Sequence, residues 1–294
     1  MGLNSFKSLS GAIFPILWLG LAAGLQMAAA LLYFHMSLNL VMIATYGIIS
    51  FAIYLLNKFT DNEDNYNCPD QKIIYQQKSH LIWIPAMFIA GSVGILAWEK
   101  MLTVWHTVLI VCGVFYSVSL IPWLQGGTIR FYRIKDLLFV KNIAVSLLWG
   151  VTPFAICIAL NQTPLNLSVD FYMIVAAFCL TTFINTTSCD VRDIEGDQHE
   201  GVMTVATRFG SKGTASILLA SGAAGMLASI VAMADGRVSL PVFVLFMSVL
   251  IWTGIVALPI YWKNLKFPKK ITEPLIDTQQ LVCGLGLIIL SVGF

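Results

Sequence analysis

Val238-Ser-Leu-Pro-Val-Phe-Val-Leu-Phe-Met-Ser-Val-Leu-Ile-Trp-Thr-Gly-Ile-Val-Ala-Leu-Pro-Ile-Tyr261 runs for 24 residues without a single charge. A membrane-crossing helix needs about 20 mostly apolar residues. A strand of a membrane barrel would instead alternate apolar and polar positions over about 10 residues. This run does not alternate, so it reads as a helix with lipid around it. A second such run, 213–233, precedes it, and only Ala234-Asp-Gly-Arg237 separates the two. Two long apolar helices joined by so short a link lie antiparallel.

The same signature recurs along the chain. Candidate spans fall at 12–35, 38–57, 81–98, 102–123, 137–160, 168–189, 213–233, 238–261 and 275–294, nine in all; the last carries Asp277, Gln279 and Gln280 in its first turn. Composition agrees. Apolar residues make up 58% of the chain and charged residues 11%, against about 25% charged in an ordinary soluble domain. The expected fold class is all-α: a polytopic membrane protein whose residues 1–294 form one transmembrane domain. The first apolar stretch is too long for the core of a signal peptide and reads as a retained helix. The six cysteines are scattered through apolar segments with no metal-ligand spacing and read as small packing residues.

The links alternate in length. Short ones (His35–Ser37, Glu99–Met101, Asn161–Asn166, Asp235–Arg237) alternate with long polar ones at 58–80, 124–136, 190–212 and 262–274. Of the 17 Lys and Arg residues, all but Lys100 and Arg237 lie on the side of the long links. Cytoplasmic loops carry the excess of basic residues, so the long links are expected in the cytoplasm and the protein in a bacterial-type cell membrane. Nothing points to nucleic acid; the lipid bilayer is the expected surrounding.

Twelve of the 15 acidic residues share that side, and two groups are dense. After the second span comes Asn57-Lys-Phe-Thr-Asp61-Asn-Glu63-Asp64. After the sixth comes Asp190-Val-Arg-Asp193-Ile-Glu195-Gly-Asp197. If the helices continue, Asn57, Asp61 and Asp64 share one face, as do Asp190, Asp193 and Asp197. Like charges stacked on a face repel, and a divalent cation would relieve them. Mg2+ takes hard oxygen ligands and completes its shell with water and phosphate oxygens. Two such faces at corresponding places therefore suggest a phosphate-bearing substrate held between them. Basic residues lie close by: Lys72 and Lys78, and Arg192, Arg208 and Lys212. Lys141, beside Asn142, sits about one turn inside an apolar span, where an ionisable group is costly and tends to mark function. Tyr116, Trp149 and Phe183 either belong to interfacial aromatic belts or line an apolar channel.

The stretch Asp190-Val-Arg-Asp193-Ile-Glu-Gly-Asp197-Gln-His-Glu-Gly201-Val-Met-Thr204-Val-Ala-Thr-Arg208-Phe-Gly210 resembles the second signature of the UbiA superfamily of intramembrane prenyltransferases. Asn57-Lys-Phe-Thr-Asp61-Asn-Glu-Asp64-Asn-Tyr-Asn67-Cys-Pro69 resembles the first. Tyr116-Ser117, Lys141-Asn142 and Trp149-Gly150 fit the same pattern, as do the nine spans. The resemblance covers nearly the whole chain. It implies an enzyme in which magnesium and basic groups hold an isoprenyl diphosphate, ionisation gives an allylic cation, and a small acceptor, often an aromatic quinone precursor, attacks it. Carried over, the metal residues are Asn57, Asp61, Asp64, Asp190, Asp193 and Asp197. Those in contact with substrate are Asn57, Lys72, Tyr116, Lys141, Asn142 and Arg192, and those essential to turnover are Asp61, Asp193 and Asp197. The chain departs from the pattern at two points: Asn65 stands where the second Asp of the first signature belongs, and Gln71 where an Arg is usual. A terpene cyclase on the same scaffold is the neighbouring alternative. A transporter is the alternative of another class, and it would place its charges nearer mid-membrane.

Overall fold

The computed structural model describes residues 3–60, 79–125, 128–136, 140–161, 168–263 and 283–289. Its helices are α1 (Leu3–Tyr33), α2 (Leu40–Thr60), α3 (Trp83–Trp98), α4 (Val104–Ser117), α5 (Val140–Leu160), α6 (Val169–Arg192), α7 (Ile194–His199), α8 (Val205–Ala234) and α9 (Leu240–Lys263). A further helical stretch covers 283–289. Among the described residues six helices are long and apolar enough to cross a bilayer: α1, α2, α5, α6, α8 and α9; α3 and α4 are apolar but shorter.

Short links make sequential neighbours into antiparallel pairs, and three links close in the same way. His35 (φ 53°), Lys100 (φ 57°) and Gly236 (φ 66°) each take the left-handed conformation just past a helix end. In each, the next amide donates back to a carbonyl of the last turn: Met36 to Leu31 at 2.9 Å, Met101 to Leu96 at 2.8 Å, Arg237 to Ala232 at 3.0 Å. This geometry satisfies carbonyls a helix end leaves open. The pairs α1–α2, α3–α4 and α8–α9 thus share one turn design.

Pairs associate through small residues. A Cβ on Gly47 of α2 would stand 2.8 Å from the Gly20 carbonyl oxygen of α1. On Gly150 of α5 it would collide with the Sγ, N and Cα of Cys179 on α6. Small residues allow such close backbone approach where lipid offers helices no hydrophobic drive to associate. The core between the helices includes Met27, Met42, Tyr46, Phe154, Phe178 and Ile184.

Two expectations need correction. The span expected at 102–123 ends as a helix at Ser117, and the chain then forms an antiparallel hairpin, β1 (Ile121–Gln125) with β2 (Thr128–Tyr132), pairing Pro122 with Phe131 and Leu124 with Ile129. The described chain is therefore helical with one two-stranded sheet, not all-helical. Pro122 brings no amide hydrogen to a helix, and Gly126-Gly127 between two runs of β-branched and aromatic residues is a hairpin signal that apolarity alone conceals. The second acidic face is also not one helix. α6 stops at Arg192, Asp193 (φ −99°, ψ 9°) is the joint, and α7 restarts at Ile194. The amides still donate four residues back, Asp193 to Cys189 and Asp197 to Asp193, each at 3.0 Å, so Asp190, Asp193 and Asp197 remain on one side of the break.

Candidate active site

One end of the bundle gathers polar groups from five elements. α2 contributes Tyr54, Asn57 and Lys58; α4 contributes Tyr116; the 3-10 turn Ile134–Asp136 contributes Lys135; α5 contributes Lys141; the α6–α7 corner contributes Asn185, Asp190, Arg192, Asp193 and Asp197. Together they line an open pocket of about 740 Å³.

Two ion pairs organise it. Lys141 Nζ donates to Asp190 Oδ1 at 2.6 Å. Asn142 Nδ2 donates to Asp190 Oδ2 at 2.9 Å and to Thr187 Oγ1 at 3.0 Å. Both oxygens of Asp190, which is 1% exposed, are thus held by α5. Arg192 grips its neighbour Asp193 with two bonds, Nε to Oδ1 at 2.9 Å and Nη2 to Oδ2 at 2.5 Å. Asp197 and Tyr116 stand within electrostatic reach of the Lys141 ammonium.

The corner is fixed from its far side. Thr204 caps α8: its Oγ1 accepts from the Thr207 amide at 3.1 Å, and its own amide donates to Thr207 Oγ1 at 2.8 Å. The loop back to α7 closes at Val202, whose amide donates to the Asp197 carbonyl at 2.8 Å. Gly201 and Gly210 both take positive φ, 73° and 68°, a conformation that glycine adopts without steric cost. The Gly-Thr-Gly rhythm of the signature therefore shapes the backbone that presents Asp197.

The polar pocket shares Tyr54, Asn57 and Tyr116 with a second, mostly apolar chamber of about 540 Å³ between α2, α4 and α5. Its wall also includes Ser50, Leu109, Gly113, Leu148 and Trp149. Tyr54 and Trp149 meet edge to face with centroids 6.0 Å apart.

Comparison with known proteins follows the same lines. The profile of the VviA prenyltransferase family matches residues 29–274. The chain belongs to the VviA prenyltransferase family. A UbiA homolog from Archaeoglobus fulgidus bound to DMAPP and Mg2+ is 16% identical, with 96% of this chain and 98% of that one covered and a TM-score of 0.61. The same protein bound to GPP and Mg2+ gives the same values. The apo UbiA homolog of Aeropyrum pernix K1 is 15% identical over 94% of this chain and 97% of that one, with a TM-score of 0.63. At such identities the likeness establishes the fold. No protein of curated function matches the sequence.

In this VviA-family chain the structure brings together Asn57, Tyr116, Lys141, Asp190, Arg192, Asp193 and Asp197 from the residues singled out in the sequence. Asn142 stands one layer back, 1% exposed, against Asp190. Asp61, Asp64 and Lys72 lie outside the described residues, as does Asn65. Lys135 was missed. It is 3% exposed and lines the pocket, although Lys is almost never fully buried unless it is paired. In the sequence it is one basic residue among several in a polar link, with nothing to set it apart. Tyr54 and Asn185 were missed because each reads as an ordinary residue of an apolar helix.

The donor set has a definite character. Among the described residues no three His, Cys, Asp or Glu side chains form a ready metal cage. Asp193 and Asp197 nevertheless offer carboxylates to one pocket, and Mg2+ commonly takes one or two carboxylates and fills the remaining positions with water and phosphate oxygens. The residues present fit an ion that arrives with a phosphate-bearing substrate.

Proposed function

We propose that this chain is an integral membrane prenyltransferase that moves an isoprenyl group from an isoprenyl diphosphate to a small acceptor, with Mg2+ as its cofactor. The observation that carries this reading is the junction of the two cavities. A pocket lined with carboxylates and cations opens through Tyr54, Asn57 and Tyr116 into an apolar chamber. An isoprenyl diphosphate has the same two halves. The UbiA homologs of this fold described as bound to DMAPP or GPP with Mg2+ support it.

In this reading Lys141, Lys135 and Arg192 bind the diphosphate oxygens and stabilise the charge that collects there as the allylic C–O bond breaks and its electron pair leaves with the diphosphate. Asp193 and Asp197 with Asn57, together with Asp61 and Asp64 of the first signature, would hold Mg2+, which would supply further charge neutralisation for the same leaving group. Asp190 has a different role from the one its spacing suggests: with both oxygens occupied, it positions Lys141 and Asn142. The apolar chamber shields the allylic cation from water, and the faces of Tyr54, Tyr116 and Trp149 favour positive charge over them. A nucleophilic atom of the acceptor then bonds to the allylic carbon and loses its proton. Nine membrane spans, a cytoplasmic pocket and an aromatic acceptor complete the proposal; the fifteen basic residues on the long-link side support the cytoplasmic placement of the pocket.

The deciding experiment is pyrophosphate release by the detergent-purified protein with geranyl, farnesyl and geranylgeranyl diphosphates, with and without Mg2+ and candidate aromatic acceptors. Metal-dependent release that requires an acceptor is the expected result. Release without any acceptor would point to cyclisation or hydrolysis, and analysis of the products would separate the two. No release with any pairing, from protein shown to be folded, would overturn the reading.

A further inference from the structure

The β1–β2 hairpin has one apolar face that no other described residue covers. Pairing puts Pro122 opposite Phe131 and Leu124 opposite Ile129. Residues two apart on a strand share a face, so these four form one surface. All four are exposed, Leu124 at 71%, Ile129 at 65% and Phe131 at 60%. The alternate positions are Ile121, Trp123, Gln125, Thr128, Arg130 and Tyr132; all but Ile121 are residue types that suit water or a headgroup layer. An isolated two-stranded hairpin is marginal in water, and a hairpin that turned three large apolar side chains to water would be worse placed still.

The foot of the hairpin shows where that face lies. α4 ends at Ser117 and β1 begins at Ile121; after Tyr132 the turn Ile134–Asp136 packs against both α4 and α5. Ile134 lines a groove between those helices together with Trp105, Val108, Leu147 and Val151. Leu147 is 52% exposed on the outside of the bundle, where lipid meets it. The next residue, Lys135, enters the polar pocket. The foot therefore sits at the rim, with one residue on the lipid-facing groove and its neighbour on the site. A five-residue strand is about 17 Å long, whereas the interfacial layer on each side of a bilayer is only about 5–8 Å deep. A hairpin rooted at this level reaches lipid with its apolar face only by lying flat.

We infer that the β1–β2 hairpin lies in the plane of the membrane interface, with Pro122, Leu124, Ile129 and Phe131 facing the acyl chains of the leaflet on which the polar pocket opens. It is a monotopic element within a spanning protein. The bilayer supplies the packing that a lone hairpin lacks, and the hairpin in turn holds the Lys135 turn at the pocket mouth. The inference does not depend on the chemistry proposed above.

The test uses the full-length protein in phosphatidylcholine–phosphatidylglycerol nanodiscs, with the photocrosslinking residue p-benzoyl-phenylalanine placed singly at 124, 129 or 131. Position 128 serves as the control on the other face and position 147 as the lipid-facing reference. After irradiation, intact mass is expected to show lipid adducts at 124, 129 and 131 near the yield at 147, and at least several-fold above 128. Adducts at 129 and 131 no higher than at 128, with 147 well labelled, would overturn the inference. So would crosslinks from 129 to a second copy of the protein. In a second measurement, Ile129→Ser/Phe131→Ser is expected to speed amide exchange at least several-fold across 121–132 in nanodiscs and leave α5 unchanged. Unaltered exchange in the hairpin would count equally against it.

Discussion

Asp190 accepts the Lys141 ammonium at 2.6 Å across the α5–α6 contact, and each member of this pair stands at the wrong end of its own helix. Lys141 lies in the first turn of α5, where the helix dipole disfavours a cation, and Asp190 in the last turn of α6, where it disfavours an anion. Each charge offsets the other's misplacement. The same arrangement leaves a cation and a helix N-terminus together beside the pocket, a combination that suits a phosphate.

Removing one partner of a buried pair leaves an uncompensated charge and costs about 3–5 kcal/mol. Lys141→Met is therefore expected to lower the melting temperature in detergent more than Asp190→Leu does, because it leaves the carboxylate of Asp190 unpaired at 1% exposure, whereas Lys141 left alone keeps 18% of its side chain accessible. The double variant is expected to recover part of the loss, with a coupling energy of about 0.5–3 kcal/mol. Strictly additive losses would mean that the contact carries no energy. Diphosphate affinity separates the roles: Lys141→Met weakens it even in the double variant.

Asp193 and Asp197 are expected to behave differently from Asp190. Asp193→Asn or Asp197→Asn should cut turnover about a hundredfold or more with little change in melting temperature, measured by pyrophosphate release. Arg192 adds a sharper test. Its guanidinium occupies both oxygens of Asp193, so a metal ion must compete with it. Arg192→Gln is expected to raise KM for the isoprenyl diphosphate while lowering the Mg2+ concentration needed for half-maximal rate. A rise in both would show that the pair does not compete with the metal.

The site was legible where charge stood out against an apolar background. Lys141 was visible because an ammonium group is expensive within a span, and the Asp190–Asp193–Asp197 spacing because like charges stacked on one face call for a cation. What each of the three Asp residues bonds to was not visible, since it depends on Asn142 and Lys141 arriving from another helix and on the break at Asp193. The hairpin was hidden for the opposite reason. Ile121, Trp123 and Leu124 continue the apolar character of α4, so hydropathy cannot tell where helix gives way to strand. Only Pro122 and Gly126-Gly127 mark the change. Lys135 became significant through burial, which one basic residue in a polar link does not announce.

Helix contacts at glycine give a prediction that needs no assay of chemistry. The three atoms nearest a Cβ on Gly113 would all be side-chain carbons of Ile53, at 2.7 to 2.9 Å, whereas one on Gly150 would also press on the backbone N and Cα of Cys179, at 2.7 and 2.8 Å. Overpacking costs about 1–3 kcal/mol. Gly113→Ala is expected to be rescued by Ile53→Ala, and Gly150→Ala not to be rescued by Cys179→Ala. Thermal melts of the four variants and the two doubles decide it. Equal rescue at both sites would mean that the α5–α6 backbones can move apart.

Ser50 tests whether the apolar chamber holds the isoprenyl tail. It is buried in the chamber wall on α2, near neither ion pair in sequence, and is small. Ser50→Leu fills space that a longer tail would need. If the chamber receives the tail, kcat/KM is expected to fall about tenfold or more for farnesyl and geranylgeranyl diphosphates and much less for geranyl diphosphate, since one methylene group is worth about 1–3 kcal/mol in a fitted pocket. Trp149→Ala enlarges the opposite wall and is expected to restore the longer substrates in the Ser50→Leu background. An equal fall for all three substrates, without restoration, would place the tail elsewhere and reduce the chamber to a packing gap between α2, α4 and α5. A selective fall that Trp149→Ala reverses would identify the space between Ser50 and Trp149 as the measure of chain length.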